Sequence, residues 1–119
     1  MPAGTRSLGT LIRRARLEQR ITLRHLASRL GVAPAYLSDI EKDRRTPSYR
    51  VLAGLAQELG LDLDEVLARA GRLDPKTKEY LTSAASPALV RLLRAIARTR
   101  LRDEDLLKLA EAVERQAKR

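Results

Sequence analysis

The sequence contains no cysteine, which excludes disulfide bonds, cysteine-based zinc sites and thiol chemistry. It also contains no phenylalanine or tryptophan and only three tyrosines. Because 44% of the residues are hydrophobic, a core can still form, but leucine, alanine, valine and isoleucine must build it. Such a core is typical of packed helices rather than of a β-sandwich, which draws on β-branched and aromatic residues.

Long hydrophobic runs are also missing. No stretch of about 18 apolar residues occurs, which is the length that a membrane-spanning helix needs. The N-terminal residues 1–17 (MPAGTRSLGTLIRRARL) lack the apolar core of a secretory signal peptide. We therefore expect a cytoplasmic protein with no membrane partner, associated with the nucleoid if it binds DNA.

Residue types that carry catalysis or bind metals are scarce. His25 is the only histidine, and a lone histidine is far more often a surface residue than a ligand or a base. Ser28 and Ser38 have no histidine arranged as the base of a nucleophile. The acidic run 103–105 is typical of the first turn of a helix, where carboxylates favour the helix dipole. We expect no enzymatic activity, no metal site and no cofactor.

Positive charge is in large excess. The net charge is +9, and residues 1–45 contain ten Lys or Arg against four Asp or Glu, a net of +6. A surplus of this size favours a polyanionic partner, because each neutralised phosphate releases counterions. The distribution indicates that such a partner binds near the N-terminal third of the chain.

The apolar residues are spaced as in α-helices almost throughout the chain, which predicts an all-α fold. In the first helix the apolar stripe includes Leu17. Asp103 is expected to cap the last helix. The predicted helices cover about residues 7–20, 22–30, 33–41, 48–59 and 62–70, followed by three more that begin at 74–75, 86–87 and 103.

The helices group into two parts. The first five could close a core by themselves, so residues 1–72 are predicted to form one domain. Residues 73–119 are predicted to form a C-terminal segment of two to three helices, which is too small to bury a core alone.

The segment Thr22–Glu41 (TLRHLASRLGVAPAYLSDIE) has the pattern of two short helices joined by a tight turn. Ala27 is small where the helices would cross, and Gly31 permits the turn. These are the packing demands of a helix-turn-helix motif, whose second helix projects from the surface. The positions expected to face inward are Leu23, Leu26, Ala27, Val32, Leu37 and Ile40.

Around this segment the sequence resembles the Cro/C1-type helix-turn-helix regulators, also called the XRE family, over about Leu8–Ala70. The matching pieces are LRHLASRLGV, APAYLSDIEKDRRTPS and LAGLAQELGL, and "YLSDIE" with its basic loop and "PS" is the most specific. Two positions depart from the family pattern: Ala33 stands where Ser or Thr usually caps the third helix, and Asp43 stands where Gly is typical. The resemblance implies a five-helix, lambda repressor-like DNA-binding domain.

The resemblance also implies that the third helix, residues 33–41, enters the DNA major groove. Its outward face lacks Arg, Asn and Gln, so we expect modest base readout with much of the affinity from phosphates. Asp39 could accept from a cytosine amino group, or it could instead pair with a nearby arginine. The candidate base-contacting residues are Pro34, Ala35, Tyr36, Ser38 and Asp39.

Phosphate contacts are expected on both sides of that helix. Arg24 lies in the first turn of the second helix, which the family places against the DNA backbone, and the loop of residues 42–48 supplies the rest. By resemblance, Arg16 and Glu41 are expected to form a partly buried ion pair that is structural. The candidate phosphate-contacting residues are Thr22, Arg24, Lys42, Arg44, Arg45, Thr46 and Ser48.

Two amphipathic helices in the C-terminal segment could pack on the first domain, pair with a second copy of the chain, or hold a different protein. We favour the second copy, because one helix-turn-helix unit reads only a few base pairs and a twofold dimer reads two half-sites. The candidate dimerisation residues are Leu89, Leu92, Leu93, Ile96, Leu106, Leu109 and Val113.

Three functions compete at this point. The first is a transcriptional regulator that binds double-stranded DNA sequence-specifically, a repressor acting as a homodimer on a palindromic operator. The second is an antitoxin-like or protease-controlled interaction module whose DNA binding is autoregulatory. The third is an architectural protein that binds random DNA as well as any site.

Overall fold

The computed structural model describes residues 7–118, and all regular secondary structure in that range is helical. This confirms the prediction of an all-α chain. Residues 1–6 lie outside the described range. They begin the segment 1–17, for which the sequence predicted no signal peptide. The helices are α1 (Leu8–Glu18), α2 (Leu23–Leu30), α3 (Pro34–Glu41), α4 (Tyr49–Leu59), α5 (Leu63–Ala70), α6 (Pro75–Ser83), α7 (Pro87–Thr99) and α8 (Asp103–Ala117).

The chain divides into two compact units between Glu79 and Tyr80, within α6. Helices α1–α5 of the first unit enclose the hydrophobic core, to which each contributes at least two buried residues. The large side chains that are fully buried there are Ile12, Leu26, Leu37, Ile40, Pro47, Leu52, Leu55 and Val66. One inward prediction was wrong: Leu17 is 53% exposed, because it lies more than a quarter turn from the line through Ile12 and Ala15.

The helix ends follow the polar and glycine signals with two exceptions. Gly31, Gly60 and Gly71 each close a helix in the left-handed conformation, as predicted for glycine beyond a last turn. The predicted cap of α8 was wrong by one residue, because Arg102 occupies the N-cap and Asp103 is the first helical residue. Ser48 occupies the N-cap of α4, but its side chain makes no capping hydrogen bond.

The second unit, taken by itself, has little interior. Among its described residues, neither α7 nor α8 contains a buried side chain. Six leucines and valines of these helices are 43–66% exposed, namely Val90, Leu92, Leu93, Leu107, Leu109 and Val113. Within residues 7–118, no helix is both long and apolar enough to cross a membrane.

Candidate nucleic-acid interface

The turn between α2 and α3 determines how α3 stands on the domain. Gly31 adopts φ +70°, and the amide of Val32 donates to the carbonyl of Ala27 at 3.0 Å. Ala27 itself is fully buried, so a larger side chain would push the two helices apart. This compact turn lets two neighbouring short helices pack at a steep angle, as a helix-turn-helix motif requires.

Helix α3 is anchored on one side only. Leu37 and Ile40 are fully buried, whereas Pro34 and Ala35 are exposed. Pro34 starts the helix at a position where its missing N–H is not needed. The helix therefore presents the face opposite Leu37 to solvent. The major groove of B-DNA is wide enough to admit an α-helix.

The two polar candidates for base contact, Ser38 and Asp39, are not fully free in the protein. Ser38 and Asp39 are half-buried. Nη1 of Arg44 lies 4.0 Å from Oδ1 of Asp39. Of the two expectations for this carboxylate, a base contact or a nearby arginine, the structure thus contains the arginine. At that distance in solvent the attraction is about 1 kcal/mol or less, so Asp39 can still turn to another donor.

The guanidinium of Arg45 lies over the ring of Tyr36, with Cζ 4.9 Å from the ring centroid. This is a cation–π contact. Tyr36 belongs to the first turn of α3, so the loop that follows the helix folds back towards its beginning. Sequence reasoning assigned the two residues to different roles and missed the contact, because nothing in the linear spacing pairs them.

The candidate phosphate contacts lie at the starts of α2 and α4 and in the loop that joins α3 to α4. Thr22 caps α2, accepting a hydrogen bond from the amide of His25, and Arg24, two residues after Thr22, is exposed. Beyond α3, the loop residues Lys42, Arg44, Arg45 and Thr46 are exposed, and Ser48 is exposed at the start of α4. Helix starts carry partial positive charge, so the starts of α2 and α4 both favour an anion.

Arg16 and Glu41, the pair that the resemblance implies, form a salt bridge through two parallel hydrogen bonds. Nε of Arg16 donates to Oε2 at 2.7 Å, and Nη2 donates to Oε1 at 3.0 Å. Nη1 also donates to the carbonyl of Ile21 at 3.0 Å. The side chains are only 11% and 7% exposed. The hydrogen bonds to Glu41 raise the pKa of Arg16 above its ordinary value, although partial burial opposes this.

Asp43 has a role that sequence reasoning missed. It adopts φ +58°, the left-handed conformation that favours glycine, and its Oδ1 accepts a hydrogen bond from the amide of Gly9 at 2.9 Å. The sequence did contain a clue to the backbone conformation. Asp43 replaces the family's usual glycine, and aspartate is among the few residues that tolerate a left-handed conformation. The loop keeps its left-handed turn and gains a cap on the start of α1.

In residues 7–118, no three His, Cys, Asp or Glu side chains lie close enough to hold a metal ion. Within the acidic run at the start of α8, Glu104 and Asp105 pair with Arg102 at 3.0 and 3.8 Å. His25 is exposed at the start of α2.

Known proteins resemble this chain over the same region. A helix-turn-helix family model matches residues 12–66. An uncharacterised HTH-type transcriptional regulator of Mycobacterium tuberculosis is 36% identical over 76 residues, 64% of this chain and 54% of that protein. The transcriptional regulator ClgR of the same species is 35% identical over 81 residues, 68% of this chain and 70% of ClgR. The immunity repressor of Bacillus phage phi105 is 30% identical over 74 residues, 62% of this chain and 51% of the repressor.

The chain thus spans only about half the length of the uncharacterised regulator and of the phage repressor. The similarity covers the helix-turn-helix motif, and the motif has the geometry described above. The chain belongs to the Cro/C1-type helix-turn-helix family of transcriptional regulators, which bind DNA and are not enzymes.

Proposed function

We propose that this protein is a repressor that binds double-stranded DNA sequence-specifically, as a homodimer on a palindromic operator, with α3 in the major groove. The observation that carries the proposal is the one-sided anchoring of α3. Leu37 and Ile40 hold one side in the core, the salt bridge of Arg16 with Glu41 fixes the end, and Pro34 and Ala35 on the other side are exposed.

The proposed base contacts come from Pro34, Ala35, Tyr36, Ser38 and Asp39. Ala35 and Tyr36 offer apolar contact to a thymine methyl, Ser38 can donate or accept, and Asp39 can accept from a cytosine amino group. Asp39 would exchange its long contact with Arg44 for this base contact. These are modest readers, so shape and deformability of the operator contribute to selectivity.

The proposed phosphate contacts flank that surface. Thr22 retains a hydroxyl donor after accepting from His25, and Arg24 adds a charge beside it. On the other side, Ser48 leaves the first amides of α4 without a side-chain cap, so a phosphate could accept from them. Lys42, Arg44, Arg45 and Thr46 stand in the loop between these two groups.

The proposed dimer forms through α7 and α8. Neither helix has a buried residue, and the side chains of their apolar stripes stay half-buried or exposed within the second unit. The stripes consist of Leu89, Leu92, Leu93 and Ile96 on α7 and of Leu106, Leu109 and Val113 on α8. A second copy would bury these side chains, and burial of apolar area is the main driving force for association. A twofold dimer also presents two α3 helices to two half-sites about one helical turn apart.

Repression is proposed because the phage relative is a repressor by name, and because a dimer on an operator can occlude polymerase. Action on chromosomal DNA would keep the protein at the nucleoid in the cytoplasm.

Selection of binding sites from a random duplex library tests the DNA proposal, and sedimentation of the protein alone and on the selected duplex tests the dimer. We expect an inverted-repeat consensus, binding at least about a thousand-fold tighter than random DNA, and two chains per duplex. Equal binding to random competitor would instead indicate an architectural protein, and one chain per duplex would refute the dimer.

A second function rests on the same exposed stripes. They would equally accept the helix of a different protein, as in an antitoxin-like or protease-controlled partner whose DNA binding serves autoregulation. Sedimentation separates the two proposals, because a chain that needs a foreign partner for these helices stays monomeric alone.

A further inference from the structure

The recognition helix lacks the side chains that read bases most strongly. Helix α3 has the sequence PAYLSDIE, without the arginine that pairs bidentately with guanine or the asparagine or glutamine that pair with adenine. Shape and deformability of the operator can supply part of the selectivity. A strong direct contact to a base edge would have to come from a neighbouring element.

The loop after α3 brings one arginine back to the N-terminal end of that helix. The first residues of a recognition helix contact base edges, and Tyr36 is the third residue of α3. Arg45 lies over its ring at 4.9 Å. Although Arg45 is nine residues further along the sequence, it lies beside the groove-facing start of the helix.

The contact also restrains the guanidinium near the ring. A guanidinium over an aromatic ring can keep the N–H groups of its edge available, in a fork that matches two acceptors. Guanine offers two such acceptors, O6 and N7, in the major groove. A phosphate can also present two oxygens to such a fork, but a phosphate contact carries no sequence information, so the consensus of the bound duplexes distinguishes the two contacts.

The neighbouring arginine is placed differently. Nη1 of Arg44 lies 4.0 Å from the Asp39 carboxylate, further along α3 and close to a group that competes for it. Arg44 therefore lies near the half-buried carboxylate of Asp39, whereas among residues 7–118 no acidic side chain is paired with Arg45.

We propose that Arg45 is a specificity-determining residue that reads a guanine in each half-site, and that Tyr36 is its positioning residue. This rests on the proposed function and deepens it. Arg45 passes from a phosphate contact to a base contact, and Tyr36 acts through Arg45 rather than on a thymine methyl. The reading surface is then composite, with apolar and weakly polar groups from the helix and the strong donor from the loop.

The test selects duplexes from a random library with the full chain, using the wild type and the variants Arg45→Ala, Tyr36→Phe and Tyr36→Leu. Arg24→Ala is the matched control, since it removes an exposed arginine at the other flank. Affinity is then measured on the wild-type consensus duplex and on a duplex in which the implicated G·C pair is replaced by A·T. Thermal unfolding verifies that each variant is folded.

We expect the wild type to prefer the G·C duplex by at least about five-fold, and Arg45→Ala to bind both duplexes equally. Tyr36→Phe keeps the ring and should keep the preference, whereas Tyr36→Leu should reduce it. Arg24→Ala should weaken binding to both duplexes alike and leave the consensus unchanged.

An unchanged consensus for Arg45→Ala, with uniformly weaker binding, would show that Arg45 contacts phosphate and would overturn the inference while leaving the proposed function intact. Wild-type protein that selects no consensus would overturn both. Because Arg45→Ala changes an exposed side chain, the inference stays testable even if Tyr36→Leu fails to fold.

Discussion

The amide of Gly9, in the first turn of α1, donates a hydrogen bond to the Asp43 carboxylate, in the loop after α3, across 2.9 Å. The same glycine lies directly against the last turn of α3, where an added Cβ would collide with the carbonyl oxygens of Ile40 and Glu41. The start of α1 is thus both a packing surface and an attachment point for the loop that contains Arg44 and Arg45. The position of the loop that we propose to contact DNA therefore depends on α1.

Gly9→Ala should destabilise the domain by at least about 1–3 kcal/mol, because backbone atoms of α3 cannot move aside cheaply. Gly54→Ala is the matched control. Its Cβ would meet only the Cδ2 methyl of Leu30, at 2.9 Å, and alanine is favoured over glycine within a helix by about 1 kcal/mol. Urea unfolding should separate the two variants clearly. Equal stabilities would show that α1 and α3 are not packed as closely as described.

Substitutions at Asp43 should separate its backbone role from its side-chain role. Asp43→Asn should be nearly neutral, because asparagine tolerates φ +58° and retains an oxygen for the Gly9 amide. Asp43→Gly relieves the backbone but removes the cap, which costs about 1 kcal/mol. Asp43→Ala loses both and should be least stable. Thermal unfolding gives the order, and a glycine variant more stable than wild type would mean that the hydrogen bond contributes nothing.

Glu41→Gln should cost about 3–5 kcal/mol of stability, because it leaves the largely buried Arg16 guanidinium without a compensating charge. The control is Glu58→Gln, which removes one partner from the exposed pair of Glu58 with Arg29, whose side chains are 26% and 57% exposed. That pair contributes about 1 kcal/mol or less. The free energies of unfolding in urea provide the comparison. Similar losses for both variants would contradict a structural role for the buried pair.

Local rules predicted much of the first unit from sequence. The glycine at the end of α2 and Pro34 at the start of α3 act through the backbone, so their effects can be inferred without the tertiary structure. The spacing of Leu37 and Ile40 likewise placed them in the core. The family motif added the partnership of Arg16 with Glu41, which local pattern alone does not contain.

The remaining features depend on how the loop folds back. The contacts of Arg45 with Tyr36 and of Asp43 with Gly9 join residues nine and 34 positions apart, and no helical or turn periodicity relates them. The error at Leu17 has a different origin, because helical periodicity itself places this residue away from the line through Ile12 and Ala15. The outward face of α3 alone therefore does not reveal the base contact that we propose for Arg45.

The pKa of Asp74 lies below its ordinary value, chiefly because the hydroxyl of Thr77 donates to its Oδ1 at 2.6 Å and the amide of Thr77 donates to its Oδ2 at 3.1 Å. A lowered pKa means that the carboxylate's contribution is present above the ordinary pKa and is lost as the pH falls through the folded-state value. Thr77→Val removes the hydroxyl donor and should raise the pKa of Asp74, measured by NMR titration. Thr99→Val, whose hydroxyl donates to the Ala95 carbonyl, should leave that pKa unchanged, and a Thr77→Val value equal to wild type would refute the assignment.

The proposed dimer predicts that position on α8 matters more than exposure. Val113 and Leu107 are 66% and 63% exposed, but Val113 shares a stripe with Leu106 and Leu109, whereas Leu107 points at least a quarter turn away from that stripe at 100° per residue. Val113→Glu should therefore place a charge inside the dimer interface and weaken association at least about ten-fold, because an unpaired charge loses its solvation there. Leu107→Glu should leave association nearly unchanged.

Sedimentation equilibrium measures the association of both variants. DNA affinity should fall with the loss of the dimer, since two half-sites are then no longer bound together. Equal effects of the two substitutions would exclude this stripe as the interface, and no effect of either would place the contact between subunits outside α8.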